Sequence, residues 1–241
     1  MQAFISMREI SRYFQTAGET VVVLDGVSLE IELGEFVVLT GPSGCGKSIL
    51  LGILGLLDLP TSGAYFLAGK NVPTLSDSER TFLRNRTVST AFQRPKIVSR
   101  LSVLDNVALP LRYRGLGVRE AARHAAASLE RVGMLKRAKD SPTRLSGGEL
   151  QLVSMARALA ATPEVLLADE PTASLDDESE ARVHQLLRNY CQTKGATVLM
   201  VTHDLSPERG GPSDARHVCM RQGIITLDSG ARTAPQEPLV G

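Results

Sequence analysis

Hydrophobic and polar residues alternate along the first 40 residues in the way that β-strands require. Three stretches carry the pattern: AFISMREI (3–10), VVVLDGVSLEIELG (21–34) and EFVVLT (35–40). The third is apolar enough for a strand buried inside a parallel sheet. Later strand signals are AYFLAG (64–69), EVLLADE (164–170) and ATVLMVTHD (196–204).

Helical periodicity fills most of the chain between these strands. We expect helices over SILLGILGLL (48–57), SDSERTFLRNR (76–86), most of 102–140, and ESEARVHQLLRNYCQTKG (178–195). Strands that alternate with helices predict an α/β fold with a parallel sheet. The largely helical block at about 94–150 is expected to be an insertion into that core.

Composition and charge narrow the class of protein. The 241 residues are 43% hydrophobic with a net charge of +1, which favours neither nucleic acid nor an anionic membrane surface. Three cysteines without metal-binding spacing fit a reducing cytoplasm. The longest apolar run, 49–57, is about half of a bilayer span, and the first residues show no signal-peptide pattern. We therefore expect any action on a membrane to pass through a partner, and we expect the tail at 229–241 to be disordered.

The stretch GPSGCGKS (41–48) fits the phosphate-binding loop G-x-x-x-x-G-K-[ST]. It follows a predicted strand and opens a predicted helix, where backbone N–H groups and the helix dipole bind phosphate. Lys47 is expected to neutralise the β- and γ-phosphates, and Ser48 to bind Mg²⁺.

Two acids end the apolar strand VLLADE (165–170). At the carboxyl edge of a parallel sheet they would lie beside the phosphate loop. Asp169 is then expected to hold Mg²⁺, directly or through water, and Glu170 to act as the general base that polarises the attacking water. Alone, such a pair is equally consistent with an ordinary solvated strand end.

The stretch LSGGELQ (145–151) precedes another helical pattern. Ser146, Gly147 and Gly148 predict a second anion site at a helix start. Ser146 with Glu149 also fits a capping box, and both interpretations can hold together. Two phosphate sites in one chain predict a nucleotide shared within the chain or between two chains.

The phosphate loop, LSGGE, LLADE, ASLD and THD, in this order and spacing, resemble the ATP-binding subunit of an ABC transporter over about residues 4–227. The resemblance implies a single domain at 1–228: an α/β P-loop NTPase core of the RecA type, an antiparallel β subdomain at the N-terminus, and a helical subdomain inserted at about 94–150. It also implies a homodimer that binds ATP and Mg²⁺ at its interface.

The resemblance also assigns roles to individual residues. It places adenine stacking on Phe14, with Tyr13 as the neighbouring candidate. It assigns catalysis to Glu170, His203, Gln93 and Lys47. It assigns Mg²⁺ binding to Ser48, Gln93 and Asp169. The dimer seam falls on Ser174, Leu175 and Asp176. The remaining ATP contacts are Gly41, Pro42, Ser43, Gly44, Cys45, Gly46 and Ile49 of one subunit with Ser146, Gly147, Gly148 and Glu149 of the other.

Stretches such as GILGLLDLPTSGAYFLAGKNV (52–72) resemble the branch of lipoprotein-releasing, macrolide-export and cell-division ATPases. That branch implies a peripheral ATPase at the cytoplasmic face of the inner membrane, with a permease subunit that carries a large extracytoplasmic domain and docks near residues 93–107. The chain departs from the usual pattern at several places: Ile49 replaces a threonine, Glu149 stands where glutamine is commoner, Leu152 replaces an arginine, and RPKIV (94–98) replaces an aromatic-rich loop.

Three other functions share part of this set of features. A small-molecule kinase would also carry a phosphate loop, but it gives no reason for LSGGE or His203. A soluble ABC ATPase of DNA repair or translation is disfavoured by the near-zero charge and by the lack of coiled-coil or zinc segments. An ABC ATPase that acts as a mechanical or signalling module on a membrane partner, without transport, would have the same fold and motifs.

Overall fold

The computed structural model describes residues 3–16, 18–203 and 215–230. These residues form two sheets and six α-helices. The strands are β1 Ile5–Thr16, β2 Glu19–Ile31, β3 Phe36–Thr40, β4 Ser62–Leu67, β5 Lys70–Asn71, β6 Val88–Ala91, β7 Val165–Asp169, β8 Thr197–Thr202, β9 Arg216–Arg221 and β10 Ile224–Asp228. The helices are α1 Lys47–Leu54, α2 Asp77–Thr87, α3 Val103–Tyr113, α4 Val118–Arg131, α5 Gly147–Ala160 and α6 Asp177–Lys194, with short 3₁₀ turns at Val72–Thr74, Leu135–Arg137 and Pro142–Arg144.

The smaller sheet is antiparallel, in the order β2-β1-β4-β5. Its two long strands pair from Ile5 with Ile31 to Thr16 with Glu19. Burial alternates at the end of β2, at Val27, Leu29 and Ile31, as the period of two in the sequence predicts, whereas Ile5, Ser6 and Met7 of β1 are buried in succession. The antiparallel N-terminal subdomain is thereby confirmed.

The larger sheet has the order β10-β9-β3-β8-β7-β6 and is parallel from β9 to β6. Because β3 and β7 both pair with β8 in parallel, their carboxyl ends meet at one edge of the sheet. The loop after β3 and the acids that end β7 therefore lie at the same edge, as the sequence predicts. Strand β6 and the hairpin β9-β10 were not predicted from the sequence.

The parallel sheet separates two hydrophobic clusters, because successive side chains of a strand point to opposite faces. Val37 and Leu39 face a cluster shared with α1 and the small sheet. Val38 faces the cluster formed with α6, as do Leu166 and Met200 of the neighbouring strands. Burial on both faces explains why these strands read as continuous apolar runs.

Helices α3, α4 and α5 enclose a third cluster, built from residues such as Val103, Val107, Ala125 and Leu129. None of the described helices is long and apolar enough to cross a bilayer. Helix α1 ends at Leu54, three residues earlier than the predicted helix over 48–57, and Leu56 then takes a left-handed backbone conformation with φ of 57°. The disorder expected for the tail concerns mainly residues 231–241, which lie outside the described part of the chain.

Candidate nucleotide-binding and catalytic site

The phosphate-binding loop joins β3 to α1 and packs closely against the backbone at Val23 and Met220. A Cβ atom on Gly46, whose φ is 104°, would lie 2.8 Å from the carbonyl oxygen of Val23. A Cβ atom on Gly41 would lie 2.3 Å from the carbonyl oxygen of Met220. These contacts explain the two outer glycines of the motif by steric exclusion. Pro42, Ser43 and Gly44 form the exposed rim, and Cys45, Gly46 and Lys47 form the buried base.

The ammonium group of Lys47 is turned into the loop. Its Nζ donates hydrogen bonds to the carbonyl oxygens of Gly41 at 2.6 Å and Pro42 at 2.9 Å, and the residue is 8% exposed. Ser48 is exposed at the start of α1, whereas Ile49 packs against the cluster around α1. Ile49 therefore makes a core contact at the position where the family pattern has a threonine hydroxyl.

Asp169 and Glu170 end β7 at this edge of the sheet. Burial, reinforced by the negative charge of Glu170, raises the pKa of the Asp169 carboxyl, while the positive charge of Lys47 acts in the opposite direction. Glu170 has a positive φ of 44°, and its N–H donates to the carbonyl oxygen of Val201 at 3.0 Å. Such a conformation is uncommon for a non-glycine residue, and this hydrogen bond fixes it.

Glu170 is the meeting point of three separate segments. The side-chain amide of Gln93, which follows β6, donates to Oε2 of Glu170 at 2.7 Å. The Nδ1 atom of His203, which follows β8, lies 3.2 Å from Oε1. The glutamate side chain is 18% exposed and the histidine side chain 64% exposed, so the cluster opens to solvent on the histidine side. The structure thus brings together three residues that are far apart in the sequence.

The LSGGE stretch forms the N-terminus of α5, and its capping box is confirmed. Glu149 N–H donates to the Ser146 hydroxyl at 3.2 Å, and Ser146 N–H donates to the Glu149 carboxylate at 2.8 Å. That backbone hydrogen bond, followed by one from Arg137 at 3.2 Å, lowers the pKa of Glu149. Gly147 faces open space, so the start of the helix is accessible.

The predicted seam residues lie against this helix start. A Cβ atom on Gly148 would lie 3.2 Å from the carbonyl oxygen of Ser174 and 3.3 Å from the side chain of Leu175. Asp176 caps α6 by accepting a hydrogen bond from Ser179 N–H at 2.8 Å, which lowers the pKa of the carboxyl. Within the described residues, no hydrogen bond links positions 146–149 to the phosphate loop.

Phe14 and Tyr13 are exposed near the end of β1, at 37% and 40%. The Arg12 guanidinium lies over the Phe14 ring, 4.5 Å from its centroid, and is itself paired with Asp58 at 3.0 Å. Both rings are accessible for stacking, so the choice of Phe14 over Tyr13 remains a prediction.

The sequence did not predict the residues that support the backbone around Gln93. Gln151 and Arg157 of α5 donate to the carbonyl oxygens of Phe92 at 3.4 Å and Lys96 at 2.5 Å, on either side of Gln93. Leu152, one of the departures from the family pattern, packs between the second and third clusters. No local motif marks these roles, because each depends on contacts between distant segments.

The donor set at this edge suits a hard divalent cation. A hydroxyl (Ser48), an amide (Gln93) and a carboxylate (Asp169) provide oxygen atoms, the ligands that Mg²⁺ prefers. No group of three or more His, Cys, Asp or Glu residues within the described chain could hold a metal by itself. The arrangement therefore fits a cation that arrives with phosphate groups and keeps several waters.

Comparisons with known proteins agree with this geometry. The family model described as ABC transporter matches residues 24–173. The chain is 39% identical over 231 residues to the uncharacterized ABC transporter ATP-binding protein YknY of Bacillus subtilis, covering 95% of this chain and 98% of that protein. It is 40% identical over 233 residues to the macrolide export ATP-binding/permease protein MacB of Hyphomonas neptunium, covering 97% of this chain and 36% of that relative.

Among solved structures, the dimeric post-hydrolysis state of the ATP-binding cassette MJ0796, bound to ADP and Pi, superimposes with a TM-score of 0.88 at 33% identity. The match covers 95% of this chain and 100% of that one. The chain spans only about a third of the length of its MacB relatives, at 36% and 32%. The family match, the YknY relative and the MJ0796 cassette together show that this chain belongs to the ABC transporter family, as an ATP-binding and ATP-hydrolysing cassette.

Proposed function

We propose that this ATPase powers export or extraction of a substrate through a separate integral membrane permease subunit, as a peripheral protein on the cytoplasmic face of the inner membrane. The names of the MacB and YknY relatives support a transport role. A permease with a large extracytoplasmic domain follows from the resemblance to the macrolide-export branch. The working unit is a homodimer, and the dimeric MJ0796 cassette supports that state.

The domain organisation proposed is one ATP-binding domain at residues 1–228. Its helical subdomain, at about 94–150, is supported by the separate third cluster between α3, α4 and α5. Helix α5 begins at the end of this block and contributes residues to both the second and the third cluster. Motion of the subdomain would therefore carry the Ser146 end of α5 with it.

ATP would lie between the phosphate loop of one subunit and the start of α5 in the other. The exposed rim offers the backbone N–H groups of Ser43 and Gly44, Lys47 offers its charge, and Phe14 offers an aromatic face for adenine. Ser146, Gly147 and Gly148 of the partner subunit would offer hydroxyl and N–H donors to the γ-phosphate. To bind phosphate, the Lys47 ammonium would use its third N–H or exchange its hydrogen bonds to Gly41 and Pro42.

Ser48, Gln93 and Asp169 would hold Mg²⁺, which supplies charge neutralisation to the phosphate oxygens. Glu170 would accept a proton from the attacking water as general base. In the present arrangement both carboxylate oxygens of Glu170 are occupied, one by Gln93 and the other by His203. Each oxygen keeps a second lone pair for the proton of the attacking water, so we expect Gln93 and His203 to orient the general base.

The convergence of Gln93 and His203 on Glu170, beside Asp169, is the observation that carries the ATPase mechanism. Its test is Glu170→Gln, which keeps the size and removes the base. We expect turnover to fall at least about 100-fold while ATP still binds. Glu164→Gln, at the opposite end of β7, is the matched control and should retain full turnover. Equal turnover in the two variants would refute the role of Glu170.

The transport role is tested by purifying the Glu170→Gln chain with ATP from detergent-solubilised membranes. We expect a membrane protein with a large extracytoplasmic domain to co-purify and to stimulate the wild-type ATPase. Recovery of the dimer without any membrane protein would overturn the transport role and leave the ATPase intact. A partner that couples ATP turnover to a periplasmic hydrolase, with no substrate moved, would favour the mechanical or signalling alternative.

A further inference from the structure

The aromatic ring of Phe14 carries a cation over one of its faces. The guanidinium carbon of Arg12 lies 4.5 Å from the centroid of the ring. This distance is within the range of about 6 Å over which a cation is attracted to the negative face of an aromatic ring. The residue is nevertheless 37% exposed, so the face opposite Arg12 is the one left for a planar ligand.

Arg12 is itself held in a fixed plane by Asp58. Its Nε donates a hydrogen bond to Oδ2 of Asp58 at 3.1 Å, and its Nη2 donates to Oδ1 at 3.0 Å. Two parallel hydrogen bonds of this kind define the orientation of a guanidinium as well as its position. The side chains of Arg12 and Asp58 are 24% and 33% exposed, so the pair is partly shielded from water. A guanidinium held in this way restricts the ring that lies against it.

Asp58 belongs to the turn that follows α1. Its N–H donates to the carbonyl oxygen of Gly52 at 3.2 Å, and its Oδ1 also accepts a hydrogen bond from Leu59 N–H at 2.8 Å. Helix α1 begins at Lys47, at the end of the phosphate loop. The support of the Phe14 ring and the phosphate loop are therefore attached to opposite ends of the same helix.

The strand geometry favours Phe14 over Tyr13 as the ring beside a nucleotide. Successive side chains of a strand point to opposite faces, so Phe14 shares a face of the small sheet with Arg12, and Tyr13 does not. The register partner of Arg12 in β2 is Leu24. A Cβ atom on Gly46 of the phosphate loop would lie 2.9 Å from the side chain of Leu24. The face that carries Arg12 and Phe14 is therefore the face that meets the loop.

We propose that Arg12, held by Asp58, is a positioning residue that orients the Phe14 ring for stacking on adenine. This role rests on the proposed function, in which ATP binds with its adenine on Phe14. The pair of Arg12 and Asp58 restrains the ring before the nucleotide arrives, so less side-chain entropy is lost on binding. Because the guanidinium covers one face of the ring, the adenine is confined to the other face.

A purely structural role of the same ion pair has a different consequence. The pair joins β1 to the turn after α1, so its loss could displace the helix and the phosphate loop at the other end. Every ligand that binds through its phosphates would then bind more weakly. The positioning role acts on the base alone. The ratio of the affinities for MgATP and for magnesium tripolyphosphate, which has no base, separates the two roles.

The first test measures this ratio in Arg12→Ala. We expect the affinity for MgATP to fall about fivefold, and the affinity for magnesium tripolyphosphate to stay unchanged. The KM for ATP should rise by the same factor at constant kcat, because the ring does not touch the reacting atoms. Arg12→Lys should have a smaller effect, since it keeps the charge and loses the bidentate pair. The matched control is Arg8→Ala, which removes an exposed arginine of β1 paired with Glu30 at 3.5 Å and should change neither affinity.

A double-mutant cycle tests whether Arg12 acts through Asp58. Asp58→Asn should also weaken the binding of MgATP, and the combination with Arg12→Ala should bind no more weakly than Arg12→Ala alone. Losses that add in the double variant overturn the role of Asp58. Equal losses for MgATP and magnesium tripolyphosphate in Arg12→Ala, or no loss for either, overturn the positioning role. Thermal unfolding checks the fold, and if Arg12→Ala does not fold, the same ratio in Arg12→Lys decides.

A second test observes the ring itself and needs no nucleotide. The chain contains no tryptophan, so Phe14→Trp introduces a single indole at this position. We expect the fluorescence anisotropy of this indole to fall when Arg12→Ala is added, because the ring loses its restraint. Unchanged anisotropy refutes the positioning role and leaves the proposed function intact.

The same reporter tests the proposed function separately. In the Phe14→Trp chain, MgATP should quench the indole fluorescence by stacking, and magnesium tripolyphosphate should not. If the anisotropy falls as expected but MgATP causes no quenching, adenine does not stack at this position. That outcome overturns the stacking role given to Phe14, and with it the role of Arg12 in orienting the ring for adenine.

Discussion

Asp169 is held in an unfavourable position when no cation is bound. Burial, and secondarily the charge of Glu170, raises its pKa, so the ionised form, which is the form proposed to bind Mg²⁺, is the costly form. We predict that Mg²⁺-dependent nucleotide binding is lost on acidification at a pH above the usual aspartate range. Glu170→Gln removes the like charge, so Mg²⁺-dependent binding should then be lost only at a lower pH (the acid limb of the binding profile moves down). Glu164→Gln should leave this acid limb in place.

The measurement is a titration of a fluorescent ADP analogue with and without Mg²⁺ across the acidic range. An acid limb that coincides in Glu170→Gln and wild type would contradict the assignment of Asp169. The same shift affects stability. Because the folded pKa is raised, the penalty is absent below the usual aspartate pKa and is complete above the raised one. At neutral pH without Mg²⁺, Asp169→Asn should therefore unfold at a higher temperature than wild type.

The placement of the candidate site residues could be predicted wherever a motif fixes their position in the fold. Lys47, Asp169 and Glu170 are examples, since a glycine-rich turn and a strand end constrain what those residues can do. The contacts of the site were not predictable in this way. The bond between Gln93 and Glu170 spans 77 positions, and the inward position of Lys47 depends on two carbonyl oxygens of the loop. Such contacts follow from tertiary packing, which local sequence does not encode.

Among the elements, α5 and α2 begin with the same capping box. Ser146 with Glu149, and Ser76 with Glu79, make reciprocal hydrogen bonds at the two helix starts. Only the first has been proposed to contact ATP. We predict that Ser146→Ala and Ser76→Ala each lower the free energy of unfolding by about 1 kcal/mol. In a chain of this size, that corresponds to a decrease in Tm of about 2–4 °C.

Ser146→Ala and Ser76→Ala should differ only in ATP-dependent dimerisation. In the Glu170→Gln background, Ser76→Ala should still dimerise with ATP, and Ser146→Ala should dimerise more weakly because the proposed donor to the partner's γ-phosphate is lost. Size-exclusion chromatography with light scattering measures the dimer fraction, and calorimetry measures Tm. If the two serine variants dimerise equally, Ser146 acts only as a helix cap.

At the level of elements, the sequence predicted segments with a distinct hydrophobic pattern better than segments without one. Strand β3 and helix α2 have distinct periodicities and were placed within two residues. Strand β6 has only four residues, two of them hydroxyl-bearing, so its pattern does not stand out from the preceding helix. The hairpin β9-β10 was also missed, because its alternation is interrupted by Arg221 and by the turn at Gly223. Its position beside β3 is set by pairing with the parallel sheet.

At the scale of the whole molecule, the two groups of proposed phosphate ligands belong to different parts of the fold. The phosphate loop lies at the edge of the parallel sheet, whereas Ser146 begins the helix that closes the third cluster. Each subunit of a two-fold dimer would offer both groups, and pairing one subunit's loop with the other's helix start would create two equivalent sites. A variant in one group should then be complemented by a subunit that is altered only in the other.

Mixed dimers test this arrangement directly. In the Glu170→Gln background, Lys47→Ala removes the charge of the loop, and Gly147→Glu places a carboxylate at an open position that would face the partner's γ-phosphate. Neither variant should dimerise with ATP by itself. A mixture should form dimers with about one nucleotide each, because the altered loop and the altered helix start fall in the same site and leave the other intact. Energy transfer between differently labelled subunits reports these dimers, and each variant mixed with itself is the control. If each site were built within a single chain, mixing would restore nothing, since every subunit would carry one broken site. The appearance of mixed dimers therefore decides whether nucleotide binding and subunit closure are the same event.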